Sequence, residues 1–150
     1  HMSAYIQNKK ARFDFEILET FEAGLVLHGY EVKSIRAGKG KLDGAYVVVR
    51  GGEAFLVGAS VSPFQVANTP KGYDPERPRK LLLSKKELMR IEQQTETARL
   101  TAVALRLYNS GRNIKLEIAI ARGKKKHDKR ESLKARDSKR DIERTLKNQN

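Results

Sequence analysis

The sequence predicts a mainly β fold: a small closed barrel of six or so short strands, two short helices and a strongly basic C-terminal tail. Three observations lead there. Short apolar runs with a period near two recur along the first 122 residues, separated by glycine-bearing turns. Only two segments carry helix signals. Charge is segregated: from Arg122 to Asn150 there are twelve Lys/Arg against five Asp/Glu, a net of +7 of the chain's total of +13.

His1 and Met2 read as an artificial remnant, residues 3–122 as the barrel and residues 123–150 as the tail. Phe13, Phe15 and Ile17 alternate with Asp14, Glu16 and Leu18, which predicts a strand. Leu25-Val26-Leu27, after Gly24, predicts a second. Glu31 to Arg36 lies between Gly29 and Gly38 and predicts a short helix. Tyr46–Val49 and Ala54–Val57 flank Gly51-Gly52, and glycine accepts the positive φ that a tight hairpin needs. Thr69 to Lys80 holds Pro70, Pro75 and Pro78 beside Arg77, Arg79 and Lys80, either as a solvated connector or as an RNA-facing loop. Ser84-Lys85-Lys86-Glu87 has the spacing of a capping box, and Leu88, Met89 and Ile91 give the following helix an apolar stripe. Thr101–Tyr108 and Ile114–Ala121 predict a second hairpin, turning at Asn109-Ser110-Gly111. Strands of this number and length suggest a barrel, with an OB-like barrel preferred among the small ones. In the tail only Leu133, Ile142 and Leu146 recur at helical spacing. A helix with so little to bury is marginal, so the tail is expected to be disordered when free and helical against a polyanion.

Composition narrows the function. A pI near 10.1 favours a polyanionic partner, with nucleic acid ahead of an anionic membrane surface. No cysteine is present for a disulfide or a thiolate metal site, which suits a reducing cytoplasm. The N-terminal stretch has no secretory apolar run, and no stretch is long enough to span a bilayer. His28 lacks a second ligand at metal spacing and is read as structural. His127, among cations, suits stacking on a base better than proton transfer. Gly38-Lys39-Gly40-Lys41 lacks the spacing and the Ser/Thr of a phosphate loop and reads as a basic turn. No catalytic constellation, cofactor motif or metal set emerges, so the expectation is a binding protein and not an enzyme. If arm and body together neutralise roughly 6–10 phosphates, affinity should fall about 10³–10⁵-fold between 50 and 200 mM salt.

Longer motifs go beyond composition. Asn8-Lys9-Lys10-Ala11-Arg12, then Glu22-Ala23-Gly24 and Gly29-Tyr30-Glu31-Val32-Lys33-Ser34-Ile35-Arg36, resemble the N-terminal signature of the SsrA-binding protein family, also called small protein B. Asp74 to Leu83 resembles its central signature, and Gly123 to Arg130 with Lys134-Ala135-Arg136-Asp137 resembles its tail. The resemblance implies an OB-fold barrel that binds the tRNA-like domain of transfer-messenger RNA. It also implies a tail that occupies the decoding centre of the small ribosomal subunit and the empty mRNA channel. Delivery to stalled ribosomes would involve elongation factor Tu through the RNA, with no catalysis by the protein itself. On matching positions it implies RNA contact by Asn8, Lys9 and Glu22, with Lys10 and Arg12 in the same motif. Lys33, Arg36, Arg79 and Lys80 are further candidates for backbone contact. In the tail, Lys124, Lys125, Lys126, His127, Asp128, Lys129, Arg130, Lys134 and Arg136 are the ribosome-binding candidates. Phe13 and Phe15 stand where the family often has His and Tyr, which makes them candidates for strand core. A generic OB-type ribosomal or RNA-binding protein is the alternative function.

Overall fold

The computed structural model describes residues 4–125 and Arg130. Lys126, His127, Asp128, Lys129, Lys134 and Arg136, and with them the expected conformation of the tail, lie outside the described residues.

Among the described residues the chain is mainly β, with three α-helices where two were expected. Strand β1 (Ala4–Gln7) leads into α1 (Lys9–Asp14), followed by β2 (Phe15–Leu25) and α2 (Gly29–Arg36). Then come β3 (Gly40–Lys41), β4 (Tyr46–Arg50), β5 (Glu53–Val57) and β6 (Ser60–Val61). A 3-10 turn (Val66–Asn68) precedes β7 (Arg79–Leu82), α3 (Lys85–Glu96), β8 (Thr101–Ser110) and β9 (Asn113–Gly123).

Both expected hairpins form. Gly51 and Gly52 take φ of 59° and 76°, so the two residues between β4 and β5 make the turn that only glycine adopts without strain. The β8–β9 turn falls two residues later than expected, because the ladder runs on to Ser110↔Asn113. Ser84 and Glu87 cap α3 reciprocally, at 3.2 and 3.1 Å. Of the expected stripe on α3, Ile91 is buried and Leu88 packs on the core, whereas Met89 faces outward.

One sheet runs in the order β1-β8-β4-β5-β7-β2-β9, and β8 also pairs with β9. The pairings β8–β4–β5–β7–β2–β9–β8 therefore return to their start. Enclosed by them, Leu42, Leu56, Leu81, Leu107, Leu116, Ile118 and Ile120 form the main core with Ile35 of α2 and Ile91 of α3. The small sheet β3–β6 closes over β1 at Gly40. A Cβ there would stand 2.7 Å from Ile6 Cδ1 and from the Ser60 carbonyl, so glycine is a steric requirement.

Helix α1 corrects the strand expected around Phe13. Asn8 caps it through Oδ1, which accepts from the Ala11 amide at 3.2 Å. Phe13 lies in this helix and is half-buried, while Phe15 and Ile17 begin β2 and pack on a second, outer cluster of Ala11, Val103, Leu105, Ala119 and Ala121.

Two bulges decide which side chains share that outer face. In β9, Ile114, Leu116, Ile118 and Ile120 all point into the main core, as strict alternation requires. In β8 the register shifts between Ala104 and Arg106. Ala102 and Ala104 point inward before the shift and Leu107 after it, so Leu105 and Arg106 both point outward. In β2 the shift lies between Ile17 and Glu19. Phe21 and Ala23 then turn to the core, and Thr20 and Glu22 join the outer face with Phe15 and Ile17.

Candidate RNA-binding surface

The outer face of β2, β8 and β9 carries a polar hollow of about 710 Å³, lined by Gln7, Arg12, Thr20, Glu22, Arg106, Tyr108 and Glu117 among others. Register sets Glu22 directly opposite Glu117, a like-charge pair that would repel if left alone. Three neighbours offset it. Arg106 Nε donates to Glu117 Oε1 at 3.2 Å, and Arg12 Nη2 approaches the same oxygen at 3.5 Å. The Tyr108 hydroxyl donates to Glu22, and the Arg106 guanidinium lies over the Tyr108 ring, 4.1 Å from its centroid. Burial, then the hydrogen bond to Glu22 and its charge, push the Tyr108 phenol well above its ordinary pKa. It stays protonated and keeps donating. The arrangement presents a flat cation braced from beneath on an aromatic ring, beside carboxylates and hydroxyls that can meet a ribose.

Along β9 toward its start, a second hollow of about 320 Å³ is rimmed by Arg36 from α2, Arg112 and Lys115. Leu82, more than half exposed, forms part of its wall. Arg36 Nη2 donates to the Arg112 carbonyl at 3.2 Å, tying α2 to the β8–β9 turn. Gly24 lets the strands close here: a Cβ on it would meet Leu82 Cβ at 3.3 Å and Lys115 Nζ at 3.7 Å.

Of the positions singled out in the sequence, Lys9, Lys10 and Arg12 are exposed on α1, and Glu22 faces out beside them. Lys33 and Arg36 are exposed on α2. Lys80 is exposed and pairs with Glu53 at 3.0 Å, away from the first hollow. Lys124 is tied to α1, its amide donating to the Asp14 carbonyl at 2.8 Å and Nζ to that of Arg12 at 3.3 Å. Lys125 and Arg130 are exposed.

Two of these positions lie inside the protein. Asn8 is buried at 4% exposure, with Nδ2 donating to the Ala104 carbonyl at 2.9 Å and Oδ1 accepting from the Ala11 amide. It anchors α1 and so aims Lys9, Lys10 and Arg12, but both its polar atoms are spent inside the protein. Arg79 is buried at 1% exposure and serves Glu31 Oε2 through Nε and Nη2 (3.1 and 2.9 Å), with further bonds to the Ala59 and Pro75 carbonyls. A guanidinium so enclosed does not reach a phosphate. Arg77 also holds Glu31, and the Tyr73 hydroxyl lies 3.1 Å from Glu31 Oε2 and 2.9 Å from the Val61 carbonyl. The proline-rich loop is therefore pinned down, with Arg77 and Arg79 turned inward.

Arg106, Tyr108, Glu117 and Lys115 were not singled out from sequence, where they read as ordinary strand positions. The available signal was an arginine interrupting the apolar run Val103-Ala104-Leu105. No group of three His, Cys, Asp or Glu suited to a metal ion occurs among the described residues, and none of their helices is long and apolar enough to cross a membrane.

The SmpB protein family model matches residues 5–148. This chain belongs to the SmpB family. SsrA-binding protein of Pseudomonas putida is 51% identical over 142 residues, covering 95% of this chain and 89% of the relative. That of Thermosynechococcus vestitus is 48% identical over 141 residues, covering 94% and 93%. A solved chain described as "tmRNA-SmpB: a journey to the center of the bacterial ribosome" superposes with a TM-score of 0.66 at 41% identity, covering 85% of this chain and 92% of that one. SmpB is a family of RNA-binding adaptors and not of enzymes.

Proposed function

We propose that this SmpB-family chain is a transfer-messenger RNA-binding adaptor of trans-translation in the cytoplasm. Its strands form an OB-like barrel whose outer β2–β8–β9 face grips the tRNA-like domain of that RNA. The observation that carries this is the Arg106–Tyr108–Glu22–Glu117 cluster with Arg12: two bulges and a helix cap converge to hold cations in fixed positions on one face. The names borne by relatives at about half identity support the choice of RNA.

The basic tail after Arg122 enters the decoding centre and the empty mRNA channel of a stalled ribosome, to which elongation factor Tu brings the RNA-bound complex. Lys124, Lys125, Lys126, Lys129 and Arg130, with Lys134 and Arg136, supply the cations for ribosomal RNA, and His127 a ring for stacking. A chain ending at Arg122 should retain transfer-messenger RNA affinity to within a few-fold yet support no peptide tagging in a reconstituted translation reaction. Loss of RNA affinity on truncation would overturn this division of labour. Competition with ordinary tRNA separates the adaptor from a generic RNA-binding protein, which would show no preference.

A further inference from the structure

The aromatic residues of α2 and the segment before the 3-10 turn take no part in the surface described above, and they meet in a hollow of about 300 Å³. It is lined by Gly29, Tyr30, Lys33, Phe64, Gln65 and Asn68. This lies at the small end of ligand sites, which run from roughly 300 to 1,000 Å³. No lining residue is shared with either hollow on the β9 side.

Tyr30 is a rigid wall. Its ring stacks on His28 at 5.2 Å between centroids and 16° between planes, and it meets Tyr73 edge-on at 5.2 Å and 86°. Tyr73 in turn is held by the buried Glu31–Arg79 pair, with Arg79 Nη2 donating to its hydroxyl at 3.0 Å. The buried ion cluster thus fixes the wall of the hollow, so little ordering remains to be done when a ligand enters. Phe64 is 37% exposed, unusual for a large apolar ring, and Lys39 Nζ sits 5.0 Å from its centroid. Asn68 Nδ2 donates to Gln65 Oε1. That bond leaves the Asn68 side-chain oxygen as an acceptor and the Gln65 side-chain nitrogen as a donor, both on residues that line the hollow. Lys33 and Lys39, both exposed, supply positive charge at the edge.

Aromatic faces, an adjacent donor and acceptor, and flanking lysines are the parts that recognise one unpaired base of a single strand: stacking, edge reading and phosphate neutralisation. We propose that this hollow binds a single unpaired nucleobase of an RNA strand, as a contact separate from the β2–β8–β9 face. The proposal rests on the reading that the chain binds RNA. Flanking lysines repel a basic peptide; an acidic peptide is the competing occupant that the test must separate.

The test titrates the full-length protein with single-stranded RNA hexamers of adenosine and of uridine, followed by amide NMR and by affinity. Amide shifts are expected at Tyr30, Lys33, Gln65 and Asn68. Phe64→Ala should weaken hexamer binding by at least roughly fivefold, the loss expected for one stacked base. It should leave affinity for the tRNA-like domain of transfer-messenger RNA within about twofold, and Phe64→Tyr should restore the hexamer. Asn68→Ala, at an exposed turn position, provides a second reading if Phe64→Ala fails to fold, and it should also weaken the hexamer. The proposal is overturned if shifts centre on Arg106 and Tyr108, if both variants bind the hexamers like the parent, or if a glutamate hexapeptide shifts the same amides equally. Hexamer binding here without affinity for the tRNA-like domain would instead overturn the adaptor reading and sustain this one.

Discussion

Glu31 has no solvent exposure and two arginines within bonding reach. Burial alone would raise its pKa. The hydrogen bond from Arg77, the His28 amide at 2.9 Å and Arg79 outweigh burial and bring it from 4.5 to about 2. A carboxyl depressed on folding stabilises the fold fully above its unfolded pKa, and that contribution vanishes as pH falls through the folded value. Stability should therefore drop by roughly 3 kcal/mol between about pH 5 and pH 2 on this account, at 1.36 kcal/mol per pKa unit. Urea midpoints across that range check it, and Glu31→Gln should flatten the dependence. The same variant leaves Arg79 buried without its counter-charge and should cost roughly 3–5 kcal/mol at pH 7. On the outer face, Arg106→Ala should weaken binding of the tRNA-like RNA about tenfold with little loss of thermal stability, since Arg106 is only half-buried. A hydrogen bond to a charged group is worth roughly 1.5–3 kcal/mol, which is the scale of that loss if Arg106 meets phosphate. None of this pairing is legible from the chain: Glu31 and Arg79 stand 48 positions apart, and Arg79 reads like any basic residue in a proline-rich loop. Asn8 reads two ways in the sequence for a related reason, because a cap and a base contact call for the same amide.

At the scale of elements, the hairpins were legible because their signals are local. Gly51-Gly52 and the flanking valines encode turn and strands without help from distant residues. The six-residue helix α1 was not. Its sequence, beginning Lys-Lys-Ala-Arg, has adequate helix formers but sits against an alternating run, and a helix so short depends on its tertiary cap, the Asn8 bond to Ala104 in β8. Bulges are equally silent, since Leu18 and Leu105 look like regular strand residues. Their consequence is large. Deleting Leu105 should restore strict alternation in β8 with Arg106 still outward opposite Glu117, so tRNA-like RNA affinity should hold while stability falls with the lost packing of Leu105 on the outer cluster. Circular dichroism melts with a binding isotherm measure both. Gly40→Ala tests the β3–β6 closure independently. The added methyl meets Ile6 and the Ser60 carbonyl and should cost roughly 1–3 kcal/mol of overpacking, while the outer face stays intact.

For the whole molecule, charge and fold divide the work. A mildly basic body joins a strongly basic tail, and the body places its carboxylates where they brace cations: Glu117 under Arg106 and Arg12, Glu19 under Arg90 at 3.1 Å. Binding of the intact chain to the tRNA-like RNA should be steep in salt, and truncation at Arg122 should leave the slope nearly unchanged if the tail is reserved for the ribosome. At duplex charge density the slope falls by about 0.9 for each phosphate that the shortened chain no longer neutralises. An unchanged slope would show that the tail meets no phosphate in that complex.

Sequence alone determined the mainly β class, the two hairpins, the capped helix α3, the segregation of charge and the family. Each of these is written in local periodicity, turn chemistry, composition or contiguous motifs. Tertiary structure decided which of the basic residues are surface and which are core, where register slips, and which side chains share a face. Those outcomes depend on burial and on pairings between positions far apart in the chain, such as Glu22 with Tyr108 and Glu31 with Arg79. Their energies arise only once water has been excluded around them.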